Sequence, residues 1–183
     1  MREVVPDAAG GLIAAMASDG VLAGHRFVRG CRAFAALSGG EVAAYGWVSS
    51  SAEWIGEIRV ELTPEVGEAY VWNCLTLPAH RRRGMFRAVL VRISSILREE
   101  GVARLWIASG GGGAERALPD AGYRQALQLT EWLLPWLGLR LLRVTGIPGA
   151  DRDLDFAARR VLAGGEDFGA STVLARRPGP RRH

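Results

Sequence analysis

The stretch from residue 75 to 90, "LTLPAHRRRGMFRAVL", sets three consecutive arginines and a glycine between an apolar run that stops at Pro78 and an amphipathic segment. A helix that begins after Gly84 has free backbone N–H groups and a partial positive charge at its start, a place that ordinarily attracts Asp or Glu. Here Arg81, Arg82 and Arg83 precede the glycine, Arg87 falls in the first turn, and no acid accompanies them. Uncompensated, each such charge costs ~0.3–1 kcal/mol. A phosphate or pyrophosphate at the helix start would accept the N–H groups and neutralise the arginines. Hydrogen bonds to a charged group contribute ~1.5–3 kcal/mol each, enough to reverse the strain. Gly84 removes a side chain where the backbone must approach an anion closely. A solvated arginine run is the bland alternative; the order strand, proline, arginines, glycine, helix favours the anion site.

Such a site needs a strand before it and a helix after it. "EAYVWNCLTLP" is rich in aromatic and branched residues and ends at Pro78, which predicts the strand. From Met85 to Glu100, the residues Phe86, Val89, Leu90, Ile93, Ile96 and Leu97 fall on one helical face, and Gly101 supplies a C-cap. Upstream, "DAAGGLIAAMASDG" predicts a first helix with Asp7 as N-cap, and "CRAFAAL" and "EVAAYGWVS" predict a hairpin around Ser38-Gly39-Gly40. In "SAEWIGEIRVELTPEVGEA", Glu53, Glu57, Glu61 and Glu65 recur every four residues, which suits a short helix or an irregular acidic connection. Downstream come a strand in "VARLWIAS", four glycines, a short helix in "AERALPDAG", a strand pair around "PWLG", and a last helix in "DRDLDFAARRVLAG". The pattern predicts a mixed α/β domain with helices on both faces of one sheet. Residues 1–175 are expected to form that single domain, and 176–183 a flexible basic tail.

Composition narrows the function. The 183-residue chain is 49% hydrophobic and 23% charged, a globular balance able to bury a core. Its formal charge is +4, but Arg176, Arg177, Arg181 and Arg182 in the tail account for that excess, leaving a near-neutral body. Nucleic-acid binding by the folded part would need a basic face, so it is not expected. All 23 basic residues are arginine, which makes a run of three less surprising. Cys31 and Cys74 make no disulfide framework and lack metal-ligand spacing, so no metal is expected and a reducing cytoplasm fits. Glu3 and Asp7 spoil a signal-peptide reading of the N-terminus. "LLPWLGLRLL" is too short for a membrane span and is interrupted by Arg140, so no membrane partner is expected. Residues 127 to 148 carry enough leucine and tryptophan to cover a homodimer interface, and a buried hairpin accounts for them equally well.

With these elements in place, "LTLPAHRRRGMFRAVLVRISSILREEG" resembles the central motif of the GCN5-related N-acetyltransferases: a strand, then Gln/Arg-x-x-Gly-x-Gly/Ala, then a long helix. Arg81 and Gly84 match the hexapeptide; Phe86 departs from it, where the family has Gly or Ala. The resemblance runs from the hairpin at Cys31 to Gly122-Tyr123, where the family often has Gly-Phe. It implies a single mixed, mostly antiparallel central sheet with helices on both faces. It also implies acetyl-coenzyme A, or another acyl-coenzyme A, as co-substrate, with Arg81, Arg82, Arg83, Gly84, Met85, Phe86 and Arg87 around the pyrophosphate. Alignment from the motif sets the backbone of Cys74 and Thr76 against the thioester and the pantetheine arm, with the Cys74 N–H as an oxyanion donor. The Cys74 thiol is expected to be a packing group.

Acyl transfer needs a neutral amine, and for a lysine-like amine of pKa ~10.4 deprotonation at pH 7 costs about 4.6 kcal/mol. In the family a carboxylate, often through water, relieves that cost. Glu68 and Tyr70 precede Cys74 on one strand face, so Glu68 is the first candidate base, with an exposed charge at a strand start as the alternative. Glu57, Glu61 and Glu65 are read either as an entrance for cationic substrates or as a solvated face. Two family positions are not filled: counting back from Gly122-Tyr123, Gly111 stands where many members have Asn, and Leu118 where a Tyr protonates the thiolate. Tyr123, Tyr70 or solvent would have to replace that acid. Trp47, Trp54, Trp72 and Tyr70 are candidates for an acceptor pocket, though strand aromatics are more often core.

The reading that follows is an acyl-coenzyme-A-dependent N-acyltransferase acting on a small-molecule primary amine by direct attack. The alternatives are a catalytically degenerate coenzyme-A-binding or interaction module on the same fold, or another coenzyme-A-dependent reaction.

Overall fold

A computed structural model describes residues 1–134, 136, 139–163 and 171–176. Its elements in chain order are β1 (Arg2–Val4), α1 (Gly10–Ala15), α2 (Ala23–Val28), β2 (Arg32–Ser38), β3 (Glu41–Ser49), β4 (Glu53–Ile55) and β5 (Val60–Leu62). They continue with β6 (Glu68–Thr76), α3 (Met85–Glu99), β7 (Arg104–Ile107), α4 (Gly112–Asp120), β8 (Leu127–Leu134), β9 (Leu139–Gly146), α5 (Arg152–Ala163) and β10 (Ser171–Arg176). Two compact units divide them: Met1–Ala52 with Pro64–Arg124, and Glu53–Thr63 with Gln125–His183.

The first unit is a five-stranded mixed sheet in the order β1-β2-β3-β6-β7, antiparallel throughout except for the parallel pair β6–β7. Strand alternation divides its side chains between two apolar layers. On one face Ala33, Ala35, Tyr45 and Trp47 pack with Leu12, Met16 and Ala23 of the N-terminal segment. On the other, Phe34, Val48, Ala69 and Val71 meet Val89, Leu90, Ile93 and Leu97, the expected stripe of α3. Fully burying a Leu or Ile stabilises by ~1.5–3 kcal/mol, so that stripe is what fixes α3 on the sheet. Helices therefore cover both faces of a mixed central sheet, as the sequence predicts.

The N-terminal segment differs from the one helix expected. Asp7 lies in a 3-10 turn, Pro6–Ala8, and α1 starts after Ala9 with no side-chain cap. A second 3-10 stretch, Ala17–Leu22, separates α1 from α2. The break has a local cause: Ala17 is left-handed (φ 51°), and Gly20 approaches so closely that a Cβ there would lie 2.5 Å from the Ile13 carbonyl oxygen.

In the second unit, β10, β9 and β8 form an antiparallel sheet and β4 and β5 a hairpin. The acidic segment is thus neither a helix nor an irregular connection. Glu53, Ile55, Val60 and Leu62 point inward while Trp54 and Glu61 point out, an alternation of period two that overrides the four-residue spacing of the glutamates. The Thr63 N–H donates to the Val161 carbonyl of α5 at 2.8 Å, and Ile55, Val60, Leu62, Leu142, Val144, Ala158 and Val161 are buried. Within the 127–148 stretch Leu142 and Val144 are core, whereas Trp132, Leu133 and Trp136 are exposed. The tail expected at 176–183 lies outside the described residues beyond Arg176. No helix among the described residues is long and apolar enough to cross a membrane.

Candidate functional site

The central sheet opens where the sequence analysis expects chemistry. The parallel ladder between β6 and β7 runs from Glu68↔Arg104 to Val71↔Ile107 and stops, while β6 continues to Thr76 paired with β3 alone. The β3–β6 register also shifts: Trp47 faces Trp72 but Tyr45 faces Leu75, so β6 carries one extra residue. Asn73 takes up that residue in the left-handed region (φ 45°), which makes a β-bulge. Asn tolerates this conformation better than other non-glycine residues. Past Val71, the β7-facing backbone groups of β6 have no ladder partner among the described residues.

The loop after β6 carries the arginines that the sequence analysis singles out. The Leu77 N–H still bonds the Ala43 carbonyl at 2.9 Å, and Pro78–His80 forms a 3-10 turn. Arg82 (φ 59°) and Gly84 (φ 73°) are both left-handed, and backbone turns of alternating hand aim successive N–H groups to one side. Gly84 caps α3 without any side-chain bond, and no acid occupies the first turn. The first N–H groups of α3 are therefore unanswered by the helix itself. Arg81, Arg82, Arg83 and Arg87 are exposed, and Arg81 Nε donates to the Thr76 carbonyl at 3.3 Å, which ties the loop to the end of β6. This donor set suits a pyrophosphate: backbone N–H groups, a helix dipole and guanidinium forks, with no competing carboxylate.

Met85 and Phe86 are half-buried and pack against the α3-side core. Phe86, the departure from the family motif, thus turns inward. Thr76 is half-buried with its hydroxyl oxygen enclosed and unpartnered. The Cys74 thiol is enclosed as well, only 2.8 Å from where a Cβ on Gly46 would stand. Burial pushes that thiol up to about 12, so at neutral pH it is a protonated packing group. Tyr123 joins the same cluster; its hydroxyl lies 3.2 Å from Ser94 Oγ, and burial raises it to about 12 despite the Ser94 bond.

Glu68 and Tyr70 are not brought to the opening. Both stand in the part of β6 that is paired on its β7 side, opposite Arg104 and Trp106. The Glu68 carboxylate is buried; it is salt-bridged to Arg104, accepts the Trp106 Nε1–H at 2.6 Å and lies 3.4 Å from the Glu65 N–H. It is therefore not the exposed charge considered as its alternative either. Tyr70 is buried. Leu118 packs into the α3-side core, and Gly111 (φ 96°) precedes α4. Of the aromatic candidates, Trp47 is core, Trp72 is half-buried beside it at 6.4 Å between ring centroids, and Trp54 belongs to the second unit. Sequence reasoning passed over two residues here, Asn73 and Arg26 of α2, whose Nη1 donates to Asn73 Oδ1 at 2.9 Å. An Asn inside an aromatic strand run and an Arg inside the short apolar α2 were the available signals.

No protein-family model and no curated protein matches the chain. Solved structures do. A complex of AAC(6')-Iy with the bisubstrate analogue CoA-S-monomethyl-acetylneamine is 10% identical, with a TM-score of 0.54 over 73% of this chain and 95% of that one. A ribosomal-protein-alanine N-acetyltransferase from Brucella melitensis biovar Abortus 2308 is 14% identical, with a TM-score of 0.51 over 73% and 95%. An aminoglycoside acetyltransferase, HMB0005, from an uncultured soil metagenomic sample is 16% identical, with a TM-score of 0.50 over 73% and 95%. At such identities the likeness is one of architecture, and it agrees with the motif at residues 75–90: the chain has the fold of the GCN5-related N-acetyltransferases.

Proposed function

We propose that the protein is an acyl-coenzyme-A-dependent N-acyltransferase that acetylates a small-molecule primary amine. The observation that carries this reading is the uncapped, acid-free start of α3 beneath four exposed arginines, directly after a strand that separates from its neighbour. In this reading the N–H groups at Gly84 to Arg87, with Arg81, Arg82, Arg83 and Arg87, hold the pyrophosphate of coenzyme A. The β6 backbone at Cys74 and Thr76 lines the pantetheine and the thioester. The Cys74 N–H donates to the thioester oxygen as it gains charge. Similar architecture in proteins named as acetyltransferases, one of them holding a coenzyme A bisubstrate analogue, supports it.

The acid–base roles follow from which groups are committed elsewhere. Glu68 would have to leave Arg104 and Trp106 to act as a base, so the proton of the attacking amine passes to water. A thiol of pKa ~8.5 leaves as thiolate without full protonation. Transfer from a phenol raised to about 12 would be uphill. In this reading the Tyr123 hydroxyl, held beside Ser94 Oγ at 3.2 Å, turns to donate a hydrogen bond to the departing sulfur and keeps its proton. Removing that bond in Tyr123→Phe is worth about tenfold in turnover.

The second reading, a coenzyme-A-binding module without turnover, is favoured by Leu118, a core side chain where the family has its acid. Free-thiol release from acetyl-coenzyme A over a panel of small primary amines separates the two. Amine-dependent release that falls about tenfold in Tyr123→Phe supports the enzyme; tight coenzyme A binding with no release on any amine supports the module.

A further inference from the structure

Arg26 is a cation in an unusual place. It lies in α2, a six-residue helix, and is 6% exposed. Its guanidinium carbon is 4.5 Å from the centroid of Trp72 and 5.1 Å from that of Trp47, so it is wedged against both indoles. Its Nη1 donates to Asn73 Oδ1 at 2.9 Å, forty-seven residues away in sequence. Trp47 and Trp72 are the last register pair before the slip, and Asn73 is the extra residue that makes it. One side chain thus touches the extra residue and both members of the register pair beside it.

The energetics give this contact a purpose. A non-glycine residue is strained in the left-handed region, Asn less than most. A charge-assisted hydrogen bond and stacking on two desolvated indoles oppose that strain. The bond from Arg26 reaches Asn73 Oδ1 only while Asn73 keeps its present turn, so it selects that turn over the extended strand. Without the turn, β6 would pair in continuous register with β3, and every residue from Cys74 to Thr76 would exchange faces.

We propose that Arg26 is a positioning residue: its guanidinium locks Asn73 in the left-handed turn and thereby sets the Cys74 amide toward the thioester. The functional half of this statement rests on the acyltransferase reading. The structural half does not, and the test separates them.

The variants are Arg26→Met, Asn73→Gly and the double substitution, each compared with wild type. Methionine keeps the bulk between the indoles and removes the donor. Glycine adopts the left-handed turn without help. The first readout is amide hydrogen exchange at Cys74, Leu75 and Thr76 in the ligand-free protein. Arg26→Met is expected to exchange at least about tenfold faster there, equivalent to about 1.4 kcal/mol, and the double variant to return to within about threefold of wild type. A general packing role for Arg26 would not be rescued by a glycine at 73. The second readout is the affinity for acetyl-coenzyme A relative to free coenzyme A. Arg26→Met is expected to erase that preference while binding free coenzyme A as wild type does, because the α3 loop is untouched.

Unchanged exchange in Arg26→Met, or faster exchange that Asn73→Gly fails to restore, overturns the proposal. A wild type that binds neither ligand while the exchange pattern holds overturns the acyltransferase reading and leaves the lock standing. Coenzyme A bound tightly with unaltered exchange and preference in Arg26→Met does the reverse.

Discussion

Glu68 tests most sharply how a sequence candidate and a structural role diverge. Glu68→Gln keeps the shape of the side chain and removes its charge. In the native protein one oxygen is salt-bridged to Arg104 and the other accepts the Trp106 indole N–H at 2.6 Å, with the carboxylate buried. A glutamine offers one acceptor and one NH2, so one of those two donors meets another donor. The bond that survives loses its charged acceptor at a cost of ~1 kcal/mol, and the donor left unsatisfied costs ~1–3 kcal/mol. Arg104 is 39% exposed and can turn to water, which keeps the total near the low end of a broken buried pair, about 3 kcal/mol. At ~2–4 °C per kcal/mol the melting temperature falls by about 6–12 °C. Differential scanning fluorimetry measures that fall, and turnover at a temperature where both proteins are folded measures the chemistry. Turnover within about threefold of wild type is what the proposed mechanism, with water as proton acceptor, expects. A melting temperature unchanged within a degree, with turnover down a hundredfold or more, would refute this and make Glu68 the base.

Three further outcomes follow from single contacts. Gly46→Ala sets a Cβ 2.8 Å from Cys74 Sγ and is expected to destabilise by ~1–3 kcal/mol, with Cys74→Ala in the same chain recovering most of the loss by denaturant titration. Native Cys74, raised to about 12 by burial, should resist iodoacetamide at pH 8 and react once the protein is unfolded; fast native alkylation would show the thiol to be accessible. Arg32 holds the Glu100 carboxylate below its usual range and bridges to Glu3. The Glu100 contribution is present above its unfolded pKa and lost as pH falls through the lower folded one; for so exposed a pair it is below about 1 kcal/mol. Arg32→Gln should therefore narrow the gap to wild-type stability on acidification below pH 4, and a gap that widens would contradict the sign.

Much of the first unit was legible because its signals were local and periodic. The α3 stripe and the hairpin around Ser38-Gly39-Gly40 appear where the pattern predicts them, within a residue. The β6 strand ends two residues before Pro78 as its chemistry requires. What failed was decided by tertiary contact. The glutamates at 53, 57, 61 and 65 imitate a helical period, but buried Ile55, Val60 and Leu62 win. Strand β1 is three residues long and depends on pairing with β2, and nothing around Arg2–Val4 announces it. At the site, the arginine loop before α3 was legible as a loop because charge, glycine and helix adjoin in sequence. The assignment of Glu68 rested on strand alternation alone, which gives a face but not the point where β7 leaves β6. Asn73 and Arg26 stood out by type but could not be brought together for the same reason: a bulge is defined by the partner strand, and the Arg26 contact comes from forty-seven residues away.

The central claim is that the start of α3 binds a pyrophosphate, and calorimetric titration with coenzyme A tests it most directly. Wild type and Arg82→Glu/Arg83→Glu are titrated side by side, with pantetheine, which lacks the pyrophosphate, as control. Two charge-assisted contacts at ~1.5–3 kcal/mol each predict at least a hundredfold loss of coenzyme A affinity in the variant. Pantetheine binding should be the same in both proteins. Equal coenzyme A affinity in the two, or none in wild type, would mean that the arginines at 81 to 83 are surface charge and that the loop holds no phosphate.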